Sequence, residues 1–184
     1  MKKNIIKQGK FLSLILRHDP GKTGLTLDHE GWADVEELIN KFNIDRNTLE
    51  EIVQTNNKKR YSFNKTKTKI RANQGHSIKV DLGLKPVKPP HKLYHGTATR
   101  YVSLIQQNGL IKQSRQHVHL STNLDTAKNV GQRHQRHQNG KKVPVFIVDA
   151  QTMQKDGYKF YLSDNGVWLT DHVPPKYLTI TYNY

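Results

Sequence analysis

Four short clusters in this chain combine residue types that can do chemistry. Arg17-His18 sets a guanidinium beside an imidazole at the end of an otherwise apolar stretch. The guanidinium offers a planar fork of donors and the imidazole is a residue type suited to acid–base work, so the pair could serve catalysis. Two cations also sit well at a helix C-terminus because the macrodipole favours them there, and taken alone that is the stronger reading. The run Ile70-Arg71-Ala72-Asn73-Gln74-Gly75-His76-Ser77 gathers five polar side chains around one glycine, and it also reads as a strand leaving into a turn. In Tyr94-His95-Gly96-Thr97 a short strand runs toward a helix starting near Thr99. A glycine there lets a ligand approach the backbone, and the helix N-terminus offers donors to an anion such as a pyrophosphate. The spacing is neither GxGxxG nor a Walker A loop, which argues against the common nucleotide-binding folds. In His117-Val118-His119-Leu120-Ser121, positions 117, 119 and 121 share one strand face, although a strand histidine is more often a packed or exposed residue than a ligand contact.

The elements that must hold these clusters follow from periodicity. Ile5, Ile6, Leu12, Ile15 and Leu16 recur near helical spacing over 4–16, ahead of Pro20 and Gly21. Asp34 and Asp45 are N-cap residues in front of two more helical patterns, Val35-Leu38-Ile39-Phe42 and Leu49-Ile52-Val53. Residues 60–64 and 67–72 alternate as a hairpin around Lys65-Thr66. Three helices and a hairpin predict a winged helix over 1–84. KPVKPPH at 85–91 carries three prolines and is expected to be a linker. Over 92–184 strands predominate, at 93–96, 118–121, 143–148, 158–162, 167–170 and 177–182. Helices are expected at 99–107, stopped by Gly109, and at 124–130, stopped by Gly131. The fold class is α+β. Gly131 to Gly140, GQRHQRHQNG, reads as an exposed polar loop.

Composition bounds the partners. Thirty Lys+Arg against fifteen Asp+Glu give a formal charge of +15, a field that concentrates polyanions, nucleic acid first among them. With no cysteine there is no disulfide, thiolate metal site or cysteine nucleophile, which fits a reducing cytoplasm. The ten histidines include no HExxH, and no metal is expected. The apolar run at 11–16 is too short to span a membrane, and no signal peptide is read. Lys58, Lys59, Arg60, Lys65, Lys67 and Lys69 would form a basic face on and near the hairpin for nucleic-acid phosphates.

Taken in order, LSLILRHDP at 12–20, LTLDHEGWADVEELI at 25–39, KIRANQGHSI at 69–78, LYHGT at 93–97, HVHLST at 117–122 and NVGQRH at 129–134 resemble the RNA 2′-phosphotransferase family. Its founding members finish tRNA splicing in eukaryotes, and it also occurs in bacteria and archaea. The resemblance covers nearly the whole chain. It implies an N-terminal winged-helix lobe and a C-terminal mixed α/β lobe of the ADP-ribosyltransferase type. It also implies an enzyme that moves an internal RNA 2′-phosphate onto NAD in two steps, releasing nicotinamide and ADP-ribose 1″,2″-cyclic phosphate. The catalytic residues carry over to Arg17, His18, Arg71 and Arg133. The His, His, apolar signature of the second lobe falls on His95, His119 and Val167, with Gly96, Thr97, Leu120 and Ser121 beside them at the NAD site. The resemblance further implies a monomer whose partners are RNA and NAD. Relatives run from VGxRHG almost directly into the next strand, whereas QRHQNGKK intervenes here, and Arg136 repeats the context of Arg133, which remains the better match. The alternative is a one-step ADP-ribosyltransferase acting on terminal phosphates of nucleic acids.

Overall fold

The computed structural model describes residues 2–56, 58–135 and 142–182. The chain divides into two compact units, Met1–Gly83 and Leu84–Tyr184. Each has its own apolar core.

In the first unit, helix α1 (Lys2–Ile15) packs Leu12 and Ile15, with Leu16 just beyond its end, at zero exposure against α3 (Arg46–Thr55). Helix α2 (Val35–Phe42) precedes α3, and both start as the aspartates predict: Asp34 accepts from Glu37 N–H and Asp45 from Thr48 N–H, each at 2.9 Å. A cap of this kind is worth about 1 kcal/mol. A three-stranded antiparallel sheet completes the unit in the order β1 (Trp32–Asp34), β3 (Lys69–Ala72), β2 (Tyr61–Phe63). Strand β1 has no counterpart in the sequence reading. Three residues are too few to show a period, and its pairing with β3, Trp32 opposite Arg71, is what makes it a strand.

The second unit begins with the proline-rich segment, which is tied to its own unit: Pro86 bridges Tyr161, and Val87 N–H donates to the Phe160 carbonyl at 2.8 Å. Its central sheet is antiparallel, β11 (Leu178–Thr181), β7 (Val145–Asp149), β4 (Lys92–Gly96). A second sheet has the order β6 (Val118–Leu120), β9 (Trp168–Thr170), β8 (Tyr161–Leu162). The bridge between Tyr94 and Ser121 joins the two. A short pair, β5 (Leu110–Ile111) with β10 (His172–Val173), lies apart. Helices α4 (Val102–Asn108), α5 (Leu124–His134) and α6 (Ala150–Lys155) flank them, α6 being unanticipated because six residues carry barely two turns of pattern.

Helix α5 runs past its expected stop. Gly131 lies inside it with an ordinary negative φ, because the glycine serves close packing and not a left-handed cap. A Cβ at Gly131 would come 2.3 Å from Val143 Cγ1 and 3.0 Å from the backbone N and O of Thr97. One at Gly96 would come 1.7 Å from the Ala127 carbonyl oxygen. Two facing glycines thus let the backbones of β4 and α5 touch. The expected loop at 131–140 is therefore helix through His134, followed by buried Gln135. Arg136 and residues 137–141 lie outside the described residues. No helix among the described residues is long and apolar enough to cross a membrane.

Candidate active site

In the first unit Arg17, His18 and Arg71 converge on the loop after β3. The Ser77 and Ile78 amides both donate to the Arg17 carbonyl, at 2.9 and 3.4 Å. Oγ of Ser77 and Nδ1 of His18 share a hydrogen bond of 2.9 Å. The Arg17 guanidinium is buried; it donates to Ser13 Oγ and to the Arg60 carbonyl and lies 5.9 Å from the Tyr61 ring. Gly75 turns the loop at φ +88°, a backbone conformation that favours glycine, and a Cβ there would be in ordinary contact with Arg17 Nη1 at 3.6 Å. Arg71 is held differently, its guanidinium 4.4 Å above the Trp32 ring, a stacking worth roughly 1–2 kcal/mol when partly desolvated.

His76 lies among these cations at 1% exposure, and neither ring nitrogen finds a hydrogen-bond partner among the described residues. Burial, then the charges of Arg17, His18 and Arg71, press its pKa from 6.5 down to about 4, so it is neutral at pH 7. The ring therefore adds a polar, uncharged wall to a site already rich in positive charge. The arrangement suits an oxyanion: two guanidiniums fixed by packing and an exposed imidazole oriented through Nδ1.

In the second unit the β4–β6 bridge brings His95, His119 and Ser121 together. His95 Nδ1 lies 3.0 Å from the His119 carbonyl, which can only accept. The ring proton is therefore on Nδ1, and Nε2 presents a lone pair. Burial chiefly, with the charges of His134 and Arg115, lowers the His95 pKa against the opposing hydrogen bond to the His119 carbonyl. Leu120 packs its side chain into the core, leaving its backbone to any ligand. The Ser121 hydroxyl donates to the Asn123 carbonyl and accepts from the Asn123 amide, ahead of the Asn123 cap of α5. Val167 is half-buried in the β8–β9 turn, its amide donating to Ser163 Oγ, and the register of Leu120 opposite Trp168 sets it at the Ser121 end of the strands. Thr97 is buried, its amide donating to the Pro144 carbonyl. At Gly96 the close approach expected of a ligand is taken by the α5 backbone. Arg133 is exposed on the last turn of α5, with Nε donating to the Asn129 carbonyl at 3.1 Å.

Three participants were not singled out in the sequence. Ser77 and Trp32 stood inside the quoted motifs, but only the fold shows that they touch His18 and Arg71. Arg115, in the loop before β6, acts on His95 through its charge and carried no motif. The expected basic face is partly engaged: Lys67 pairs with Glu50 at 3.1 Å, Lys69 pairs with Asp28 at 3.0 Å, and Arg60 donates a hydrogen bond to Asn56 Oδ1. Among the described residues no group of three or more His, Asp or Glu is placed to hold a metal ion.

Comparison with known proteins shows the family. Residues 3–172 match the RNA 2′-phosphotransferase, Tpt1 / KptA family, and the chain belongs to that family. It is 54% identical over 180 residues to a protein of Fusobacterium nucleatum named "Probable RNA 2'-phosphotransferase", covering 95% of this chain and 98% of that one. Proteins of the same name in Flavobacterium johnsoniae and Trichormus variabilis are 51% and 52% identical over 185 and 178 residues, covering 97% and 94% of this chain and 98% and 94% of theirs.

Proposed function

We propose that this protein removes an internal 2′-phosphate from RNA by transferring it to NAD. The observation that carries the reading is the meeting of Arg17, His18 and Arg71 around the 73–78 loop, in a chain of the RNA 2′-phosphotransferase family. In this reading the first unit is a winged-helix lobe and the second an ADP-ribosyltransferase-like lobe.

The chemistry asks little of a base in its first step. A phosphomonoester is largely dianionic at neutral pH, its second pKa being about 6, so an oxygen of the RNA 2′-phosphate can attack the ribose carbon that bears nicotinamide directly. That C–O bond forms as the C–N bond to nicotinamide breaks, and nicotinamide leaves as a neutral molecule. Arg17 and Arg71 orient the dianion, one held by its loop and the other on Trp32. His95 fits the nucleotide because its outward Nε2 accepts from a ribose hydroxyl; His119, Ser121, the Leu120 backbone and Val167 line the same end of the strands, beside Gly96 and Thr97. Arg115 adds positive charge for the pyrophosphate.

In the second step the 2″-hydroxyl of the ADP-ribose attacks phosphorus and the RNA 2′-oxygen leaves, giving a 2′-hydroxyl and ADP-ribose 1″,2″-cyclic phosphate. Here a proton must move. His18 takes it from the attacking hydroxyl or delivers it to the leaving oxygen, while Arg17, Arg71 and Arg133 offset charge on the transferring group. His18→Ala and Arg71→Ala are therefore expected to slow the second step more than the first and to accumulate ADP-ribosylated RNA in single-turnover reactions resolved on gels. Loss of turnover with no such intermediate would remove this division of labour. A wild-type protein that stops at ADP-ribosylated RNA would instead be a one-step ADP-ribosyltransferase.

A further inference from the structure

Helix α1 is cationic at its N-terminal end, the end at which the macrodipole disfavours cations. Lys2, Lys3 and Lys7 crowd its N-terminal half and its first turn has no acid, where the macrodipole favours acids, whereas Arg17 and His18 just past Ile15 stand at the end that favours cations. Helix α2, in the same unit, follows the rule, with Glu36 and Glu37 in its first turn and Lys41 in its last. From residue 1 to residue 18 the sequence holds Lys2, Lys3, Lys7, Lys10 and Arg17 and no Asp or Glu. A local rule broken at the expense of the helix points to a partner outside it.

The exposed face of α1 has a direction. Lys7, Lys10, Leu14 and His18 are exposed and spaced by three, four and four residues, so they form one stripe. Helical hydrogen bonding continues past Ile15, with Leu16 N–H donating to Leu12 O and His18 N–H to Leu14 O, which keeps His18 on that stripe one turn beyond Leu14. The stripe is about 16 Å long at 1.5 Å per residue. Ile6, 59% exposed, and Leu14, 46% exposed, interleave with the lysines. Lys7 and Lys10 make no ion pair among the described residues. The hairpin behaves differently, with Lys67 and Lys69 engaged by Glu50 and Asp28, and α3 carries Glu50 and Glu51.

We infer that this α1 stripe is the track for the RNA strand flanking the 2′-phosphorylated nucleotide: Lys7 and Lys10 meet backbone phosphates, Ile6 and Leu14 meet sugars and bases, and the strand leads to His18. The inference rests on the proposed RNA substrate and adds the surface that guides it. It is offered in place of the hairpin face, where Lys67 and Lys69 are engaged by Glu50 and Asp28.

The test is direct binding without NAD, by fluorescence anisotropy, to a single-stranded oligoribonucleotide of about ten nucleotides with one internal 2′-phosphate. Lys7→Gln/Lys10→Gln is expected to weaken binding about 3- to 10-fold and to flatten the slope of log K against log salt by about 1.4, roughly 0.7 per phosphate contact on a single strand. Its melting temperature should stay at the wild-type value, since both side chains are exposed. Leu14→Ser should give a smaller loss that leaves the salt slope unchanged. Lys65→Gln/Lys67→Gln/Lys69→Gln should cost less than the α1 pair. Wild-type affinity and slope in the α1 variant, or the larger loss in the hairpin variant, would overturn the inference. Weakened binding by the α1 variant in a protein that never turns over a 2′-phosphate would uphold the track and defeat the proposed reaction; normal turnover with an unaffected α1 variant would do the opposite.

Discussion

Oγ of Ser77 lies 2.9 Å from Nδ1 of His18, a residue 59 positions earlier in the chain. The contact orients the imidazole and directs Nε2 away from the loop. Ser77→Ala is expected to lower kcat about 5- to 20-fold, the worth of one positioning hydrogen bond to a proton-transfer group, with little change in KM. Ser77→Thr keeps the hydroxyl and should recover most of the rate. Steady-state kinetics on all three proteins checks this; equal loss in the threonine variant would mean that the site needs serine's size and not its hydrogen bond.

Arg71 depends on a different support, the Trp32 ring 4.4 Å beneath it. Trp32→Leu removes the π face while filling much of the space, and it is expected to raise KM for 2′-phosphorylated RNA about 10-fold, in line with a partly desolvated cation–π contact of 1–2 kcal/mol. Trp32→Phe should retain a good part of the affinity. A leucine variant with wild-type KM would show that Arg71 is held without the ring.

Stability should depend on pH through His76. Its pKa falls from 6.5 to about 4 on folding, so between these values the unfolded chain binds a proton that the native protein refuses. The stability is present in full above pH 6.5 and is lost as pH falls toward 4, by on the order of 2–3 kcal/mol. Burial lowers His95 and His117 as well, so the comparison that isolates His76 is wild type against His76→Gln in urea unfolding at pH 7 and pH 5. The variant should lose less between the two. Parallel losses would place the effect elsewhere.

Gly96 offers a test of the second unit's packing. A Cβ there would stand 1.7 Å from the Ala127 carbonyl oxygen, a backbone atom that cannot swing aside. Gly96→Ala is expected to cost more than about 3 kcal/mol, beyond most overpacking substitutions, and to abolish or steeply lower the melting transition of this unit. Gly21→Ala, with nothing within 4 Å, should change stability by less than about 0.5 kcal/mol. Calorimetry of both variants decides it.

What the sequence made legible was what one element determines alone. The apolar faces of α1 to α3 and the aspartate caps on α2 and α3 are local, and they appear within a residue or two of where periodicity puts them. The RANQGHS loop stood out because five polar side chains crowd one glycine. Features made by partners were hidden. Trp32 becomes a strand residue only opposite Arg71, and Ser77 becomes a support for His18 only because its backbone also holds Arg17. Gly131 looked like a helix stop because a glycine that caps and a glycine that admits a neighbouring backbone are the same letter; only Thr97 and Val143 against it tell them apart. The hairpin lysines looked available because Glu50 and Asp28, which pair with two of them, come from distant elements.

The most direct test is to incubate the protein with an RNA bearing one internal 2′-phosphate, with and without NAD, and to follow RNA and nucleotide products by mass spectrometry. The expected result is loss of the phosphate only when NAD is present, together with nicotinamide and ADP-ribose 1″,2″-cyclic phosphate in equal amounts. RNA that stays phosphorylated with folded protein and NAD, or loses its phosphate as free inorganic phosphate without NAD, would contradict it.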